Sequence, residues 1–329
     1  MTSRPITLDD VARLAGVSYQ TVSRVINQAE HVSARTREKV LFAMRELNYV
    51  PNRGAQQLAG KRSRILGLLT SDLALHAPSQ IASAVKNRAA QAGAGVIIAM
   101  PEQATQAACV LALQELLAQR VTGLLINLPL EDDQAEELAA LAHPTPTLFL
   151  DVSPTARVNS LVFDAAEGAR LGAEHVLTLG HRVIALLAGP PGSVSARARL
   201  AGWLETLENA RVTPAATAHG DWSAASGYEQ AQRLLASHPQ PEAILVANDQ
   251  MALGVLRACA EKGFAVPGQI SVIGYDDTAD SAWYTPPLTT IRQAFKEAGE
   301  RSVDWLLQPP ADELSQTLLP VTLVIRSSA

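Results

Sequence analysis

From Ile65 onward the sequence repeats one pattern: a short apolar run, a polar residue at its end, then a helix-like stretch. The runs are ILGLLTSD, GVIIAMP, GLLINL, TLFLD, VIALLAG, AILVAND and ISVIGYDD. Apolar runs of this length without polar alternation describe strands buried on both faces, as in a parallel sheet covered by helices. There are too many for one small sheet, so two doubly wound subdomains are expected, with a last strand in LPVTLVIRSSA. Ligands of open parallel sheets bind beyond the carboxyl ends of the strands. The polar residues of this pattern fall there: Ser71 with Asp72, Asn127, Asp151, Asn248 with Asp249, and Asp276 with Asp277. Two such sheets facing each other would enclose a cleft lined by amides and carboxylates.

The first 50 residues have a different texture and predict three short helices. Thr7 is placed to cap the first, whose Asp9 and Asp10 suit the positive end of the helix dipole. Gly16 ends it, Ser18 caps a second running to about Asn27, and Ser33 caps a third in which Val40, Met44 and Leu47 mark the buried face. Helix, glycine-containing turn and helix, buttressed by a third, is the helix-turn-helix arrangement of DNA-binding proteins. The segment GVSYQTVSRVIN fits a recognition helix: its valines and isoleucine keep a helical rhythm, while Tyr19, Gln20 and Arg24 share the polar side. Glutamine pairs in two-point fashion with adenine and arginine with guanine, and tyrosine adds a stacking surface and a hydroxyl. Charge agrees. The chain carries a net charge of −5, yet through Arg62 ten Lys or Arg face five Asp or Glu. A basic head on an acidic body suits a polyanion-binding module joined to something else. PNRGAQQLAGKRSR, residues 51–64, cannot bury a core and is expected to form a hinge helix and linker.

Several functions are excluded. No apolar h-region follows a basic start and no apolar run is long enough to span a bilayer, so neither a secretory signal nor a membrane partner is expected and the compartment is the cytoplasm. Cys109 and Cys259 are isolated, without metal spacing, and are expected as buried free thiols. G-x-S-x-G, H-E-x-x-H and phosphate-loop motifs are absent, and GPPGSVSAR lacks the closing Lys-Ser/Thr. Neither an enzyme nor a metal or cofactor site is expected.

TLDDVARLAGVSYQTVSRVINQAEHVSARTREKV, NRGAQQLAGKRS, VSARARLAGW, GDWSAASG, LVANDQMALG and VIGYDDTADS together resemble the lactose/galactose repressor family of bacterial transcription regulators. The resemblance runs from about Ile6 to about Arg326. It implies an all-α helix-turn-helix head and hinge helix joined to an α/β core of two doubly wound parallel-sheet subdomains, like the type I periplasmic sugar-binding proteins. On this reading residues 1–50 are the head, 51–64 the hinge and 65–329 the sugar-binding and dimerisation core. The core's N-subdomain takes about 65–163 and 292–321, and its C-subdomain about 164–291 and 322–329. The implied activity is binding of double-stranded operator DNA by a homodimer, relieved by a small sugar.

Carried over residue by residue, the resemblance makes Tyr19, Gln20 and Arg24 the base readers. Ser18, Thr21, Ser23, Asn27, His31, Ser33 and Thr36 become the backbone contacts, and Leu58 and Ala59 the wedge in the minor groove. Asp151, Arg199, Asn248 and Asp276 become the polar effector ligands; Trp222, Phe163, Phe295, Leu75 and Pro78 the apolar lining; and Ser71, Asn127, Ser193 and Gln293 smaller polar contributors. The polar set favours a galactoside. Two departures stand out. Gly54 replaces a β-branched residue in the hinge, where glycine costs a helix about 1 kcal/mol relative to alanine, so a hinge less ordered off DNA and more dependent on operator for its folding is expected. Asp9 replaces an aromatic residue that could stack on the backbone. The chain ends at Ala329, soon after the last core strand and without a leucine-repeat helix, so a dimer rather than a tetramer is expected. Alternatives are a regulator answering to another sugar, a purine or a phosphorylated sugar; an activator; and a periplasmic sugar-binding protein, which the basic head argues against.

Overall fold

The computed structural model describes residues 6–26, 32–50, 64–103, 105–236, 240–310 and 314–329. The chain divides into two compact units, Met1–Ser63 and Arg64–Ala329. In the first, helices α1 (Leu8–Ala15), α2 (Tyr19–Ile26) and α3 (Ala34–Glu46) enclose a small core of Val11, Ala12, Ala15, Val22, Val25, Val40 and Ala43. Ala43 holds the central place on α3, and Met44 and Leu47 pack at the margin. The start of α1 is closed differently from a simple threonine cap. The Asp10 carboxylate accepts from both the backbone N–H and the hydroxyl of Thr7, at 2.9 and 2.7 Å. Ser18 and Ser33 cap α2 and α3, each accepting a backbone N–H from three residues on at 3.2 Å. Gly16 takes a left-handed φ of 66° and turns the chain between α1 and α2, a conformation costly for any residue with a Cβ. The expected hinge helix, with Gly54, Leu58 and Ala59, lies outside the described residues, as do Asn27 and His31.

The second unit contains two six-stranded sheets. In chain order its elements are β1 (Ile65–Thr70), α4 (His76–Gln91), β2 (Gly95–Ala99), α5 (Gln106–Ala118), β3 (Gly123–Asn127), α6 (Asp132–Ala142), β4 (Thr147–Phe149) and β5 (Ser160–Phe163). There follow α7 (Ala165–Thr178), β6 (Ile184–Ala188), α8 (Val194–Asn209), β7 (Ala216–His219), α9 (Ala224–Leu234), β8 (Ala243–Val246), α10 (Asp249–Glu261), β9 (Ser271–Asp276), β10 (Thr289–Arg292), α11 (Phe295–Leu307), β11 (Gln316–Leu319) and β12 (Thr322–Val324). One sheet has the order β11-β5-β4-β3-β1-β2 and the other β12-β10-β9-β8-β6-β7. All pairings are parallel except β10 with β12, which is antiparallel. All seven apolar runs named from the sequence form strands. Four more strands, β5, β7, β10 and β11, carry no such run and gain their stability from neighbours already in place. In β10, Thr289 and Thr290 are fully buried.

The chain passes between the sheets three times: after Phe163, after Arg292 and between Leu319 and Thr322. A small cluster of Tyr275, Ile291 and Val321, flanked by Phe163, Leu171 and Leu323, packs beside these passages, apart from the larger cores of the two sheets. Cys109 and Cys259 are buried free thiols.

Candidate functional site

On α2 the division of faces is clean. Val22 and Val25 are buried, whereas Tyr19, Gln20 and Arg24 are exposed. Ser18 and Thr21 share a hydroxyl–hydroxyl hydrogen bond of 2.9 Å, and Ser33 and Thr36 one of 2.8 Å. Both pairs stand at helix N-termini, where backbone N–H groups and the dipole favour a phosphate. Ser23 is half-buried.

In the second unit the residues singled out from the sequence converge. A cavity of about 510 Å³ is lined by Ser71, Leu75, Pro78, Asp151, Ser193, Arg199, Trp222, Asn248 and Asp276. A second, more apolar cavity of about 250 Å³ is lined by Asn127, Phe163, Gln293 and Phe295, and shares Asp151 and Arg199 with the first. Most of these residues end a strand, follow one or open the helix after it, and Arg199 lies in the second turn of α8. Asn127 ends β3, Asp276 ends β9, Ser193 and Asn248 cap α8 and α10, and Phe295 opens α11. The two sheets supply opposite walls.

Arg199 organises the polar centre. It is 6% exposed, and a buried cation is tolerated only with partners. One Nη donates to the Ala247 carbonyl, and the other lies 3.7 Å from Asp276 Oδ1. The guanidinium carbon stands 3.8 Å from the centre of the Tyr275 ring and 5.5 Å from that of Trp222. Its Nε is enclosed and has no hydrogen-bond partner, an unmet donor of the kind that marks a functional position. Burial pushes the Asp276 carboxyl up to about 7, against the pull of Arg199 and of a 2.7 Å hydrogen bond from the Gln293 amide; the nearby Asp249 carboxylate adds to the rise. Asp151 is likewise raised by burial, opposed by Arg199 and Ser195. Two acids and a guanidinium with a spare donor, between Trp222, Leu75 and Pro78, suit a small molecule with several hydroxyls and an apolar ring face.

The structure also separates acids that the sequence could not tell apart. Asp249, Asp277 and Asp72 end apolar runs like Asp151 and Asp276, but their carboxylates are committed elsewhere. Asp249 is fully buried and accepts from Thr278 N–H at 2.9 Å and from the Ser281 and Thr290 hydroxyls at 2.5 Å; burial lifts it to about 6. Asp277 is held by Arg292 and Arg326, each at 2.6 Å. Asp72 accepts the Ala74 N–H at 2.8 Å. Asn248 is half committed: its Oδ1 accepts from Met251 N–H at 2.9 Å and its Nδ2 donates to the Trp222 carbonyl at 3.0 Å. It fixes the indole as much as it offers a ligand contact.

Sequence reasoning missed several neighbours. Ser195 and His76 line the cavities, and His76 meets Phe295 edge to face at 5.7 Å. Besides Asp151 with Ser195, other contacts bridge the walls: Arg197 pairs with Glu131 at 2.5 Å, and the backbone N–H of His76 donates to Gln250 Oε1 at 3.2 Å. Nothing local in the sequence singles out Ser195, which stands between Ser193 and Arg199. Among the described residues no group of His, Cys, Asp and Glu is arranged to hold a metal, and no helix is long and apolar enough to cross a membrane.

Residues 7–52 match the bacterial regulatory proteins of the lacI family, and residues 173–329 match the periplasmic binding protein-like domain. A helix-turn-helix head and a two-sheet binding core place the chain among bacterial regulatory proteins. It is 56% identical to the lactose operon repressor of Escherichia coli K12 over 99% of its own length and 91% of that protein's. To the lactose operon repressor of Klebsiella pneumoniae it is 48% identical, over 100% and 94%. A crystal structure of the lac repressor dimer bound to operator and the anti-inducer ONPF superposes with a TM-score of 0.92, at 56% identity and 99% of each chain. The chain belongs to the lacI family.

Proposed function

We propose that this protein is a sequence-specific transcriptional repressor of a lactose or galactoside utilisation operon, released from its operator by a galactoside. It acts in the cytoplasm, on the nucleoid, as a homodimer and not as an enzyme. The observation that carries the effector reading is the convergence of Asp151, Arg199 and Asp276, with the unpartnered Arg199 Nε, on one cleft between two sheets. Similarity to two lactose operon repressors supports the choice of operon.

In this reading residues 1–50 form the DNA-binding head, with Tyr19, Gln20 and Arg24 reading bases. Ser18, Thr21, Ser23, Ser33 and Thr36 grip the backbone, which sets register without choosing sequence. Asn27 and His31 as backbone contacts, and Leu58 and Ala59 as the wedge, complete the scheme. Effector contacts are assigned to the cleft residues, with Asp151 and Asp276 accepting ring hydroxyls and Trp222 facing the apolar side of the sugar. Closing the two walls on a ligand shifts the crossovers between the sheets and lowers operator affinity. By linkage, operator weakens galactoside binding by the same factor.

The test is an operator titration at stated salt, with and without a galactoside, because phosphate contacts make affinity steeply salt-dependent. Tight operator binding weakened by a galactoside supports the reading. Release by cellobiose or a purine, with no response to galactosides, refutes the assignment of effector.

A further inference from the structure

Tyr275 is the penultimate residue of β9, one position before Asp276, and is 1% exposed. Three sets of contacts meet on it. One face of its ring lies 3.8 Å from the guanidinium carbon of Arg199. Its hydroxyl donates to the carbonyl of Ala165, the first residue after the first crossover between the sheets, at 3.3 Å. It shares a small buried cluster with Ile291 and Val321, beside the second and third crossovers, and Phe163 at the first packs against that cluster. The fit is tight. A Cβ on Gly168 would stand 2.1 Å from the Tyr275 hydroxyl, so α7 approaches this closely only because that position is glycine.

We propose that Tyr275 is a positioning residue for the effector site: its ring orients the Arg199 guanidinium in the cleft, and its remaining contacts carry that orientation to the three crossovers. Beyond that ring, Arg199 is held by one carbonyl, by one carboxylate at 3.7 Å and by the more distant Trp222 ring at 5.5 Å. A planar guanidinium stacks on aromatic faces, so the nearer ring sets its plane. Both groups are buried, where attraction between a cation and an aromatic face is at its strongest. When a ligand acceptor engages Arg199, the ring beneath must follow, and with it the small cluster that packs beside the crossovers. The inference rests on the effector reading above, because it concerns how a ligand in this cleft is felt elsewhere.

Tyr275→Phe and Tyr275→Leu in the full chain separate the parts. Phenylalanine keeps the aromatic face and loses the hydroxyl; leucine loses both. With isopropyl β-D-thiogalactoside, a galactoside that is not hydrolysed, as probe, Tyr275→Phe should bind within about threefold of wild type. Tyr275→Leu should bind roughly 10- to 30-fold more weakly, the loss expected of a desolvated cation–aromatic contact. Its operator affinity should also respond less to a saturating concentration of the same galactoside. A tyrosine that merely fills space would lower the melting temperature and leave that response unchanged in the folded protein. Wild-type affinity, or a wild-type response at saturation, in folded Tyr275→Leu overturns the proposal. Should that variant not fold, arginine side-chain NMR decides. The Arg199 Nε–H signal, assigned by its loss in Arg199→Lys, must be displaced by ring current in wild type and in Tyr275→Phe alike. A signal at the position of free arginine overturns the proposal. Wild-type protein that shows the displaced signal but binds no galactoside refutes the choice of effector and leaves the packing role standing.

Discussion

Replacing Gly189 by alanine should cripple effector binding while sparing the DNA-binding head. Gly189 follows β6 at the floor of the cleft, and a Cβ there would stand 2.3, 2.6 and 2.7 Å from Cη2, Cζ2 and Cζ3 of Trp222. Ordinary carbon contacts begin near 3.5 Å, so the indole must retreat by about 1 Å. The backbone cannot easily yield instead, because the Gly189 carbonyl accepts from His219 Nδ1 at 3.0 Å. Nor is Trp222 free to slide: its φ is 79° and its carbonyl is held by Asn248 at 3.0 Å. Overpacking of this kind costs about 1–3 kcal/mol. A ring pushed into the cavity occupies effector space, so the cost appears in galactoside affinity. At about 1.4 kcal/mol per tenfold, Kd should rise roughly 5- to 150-fold by calorimetric titration. Operator affinity without galactoside should stay within about twofold, because the change lies in the separate core unit. Adding Trp222→Phe, a smaller ring, should recover part of the loss relative to Trp222→Phe alone. Wild-type galactoside affinity in Gly189→Ala, or equal loss of operator binding, would falsify this account of the cleft floor.

Three further outcomes are expected. Because Asp276 and Asp249 are raised by burial to about 7 and about 6, their neutral forms stabilise the fold fully below the unfolded carboxyl pKa near 4. That contribution is lost as pH rises through 6 and 7, so thermal stability should fall from pH 5 to pH 8. Asp276→Asn should flatten the fall, and an unchanged slope would contradict the assignment. Arg24→Ala should cost about 1–3 kcal/mol on the cognate operator and relax preference at one base pair, whereas Thr36→Ala should weaken all sequences alike; equal profiles in a binding-site selection would remove Arg24 from the base readers. Arg197→Gln breaks the 2.5 Å pair with Glu131, whose side chains are 43% and 53% exposed. Exposed pairs contribute only about 0.2–1 kcal/mol, so galactoside Kd should change less than about fivefold, and a larger change would mean that this pair governs closure of the cleft.

The parts of this protein that were legible in its sequence are those written in local pattern. Seven strands announced themselves as apolar runs, and the head helices by Ser18, Ser33 and Gly16, because capping and side-chain periodicity act within a few residues. The two-sheet core could be anticipated for the same reason. β5, β7, β10 and β11 could not, since short segments such as TTIR owe their extended form to the neighbour across the ladder. The cleft shows the same boundary. Position after a strand nominated Asp72, Asp151, Asp249, Asp276 and Asp277 alike, and nothing nearby in the chain distinguishes them.

Tertiary structure separated them through contacts with residues far away in sequence: Thr290 and Ser281 take up Asp249, and Arg292 and Arg326 take up Asp277. It also stacked Arg199 on Tyr275, 76 positions away in the chain, and left one guanidinium donor unsatisfied. Local sequence thus determined the head helices, the strands written as apolar runs and the strand ends that nominate a cleft. Which of the side chains there remain free to bind one was decided by long-range packing, because a buried polar group is available only when no other buried group has claimed it.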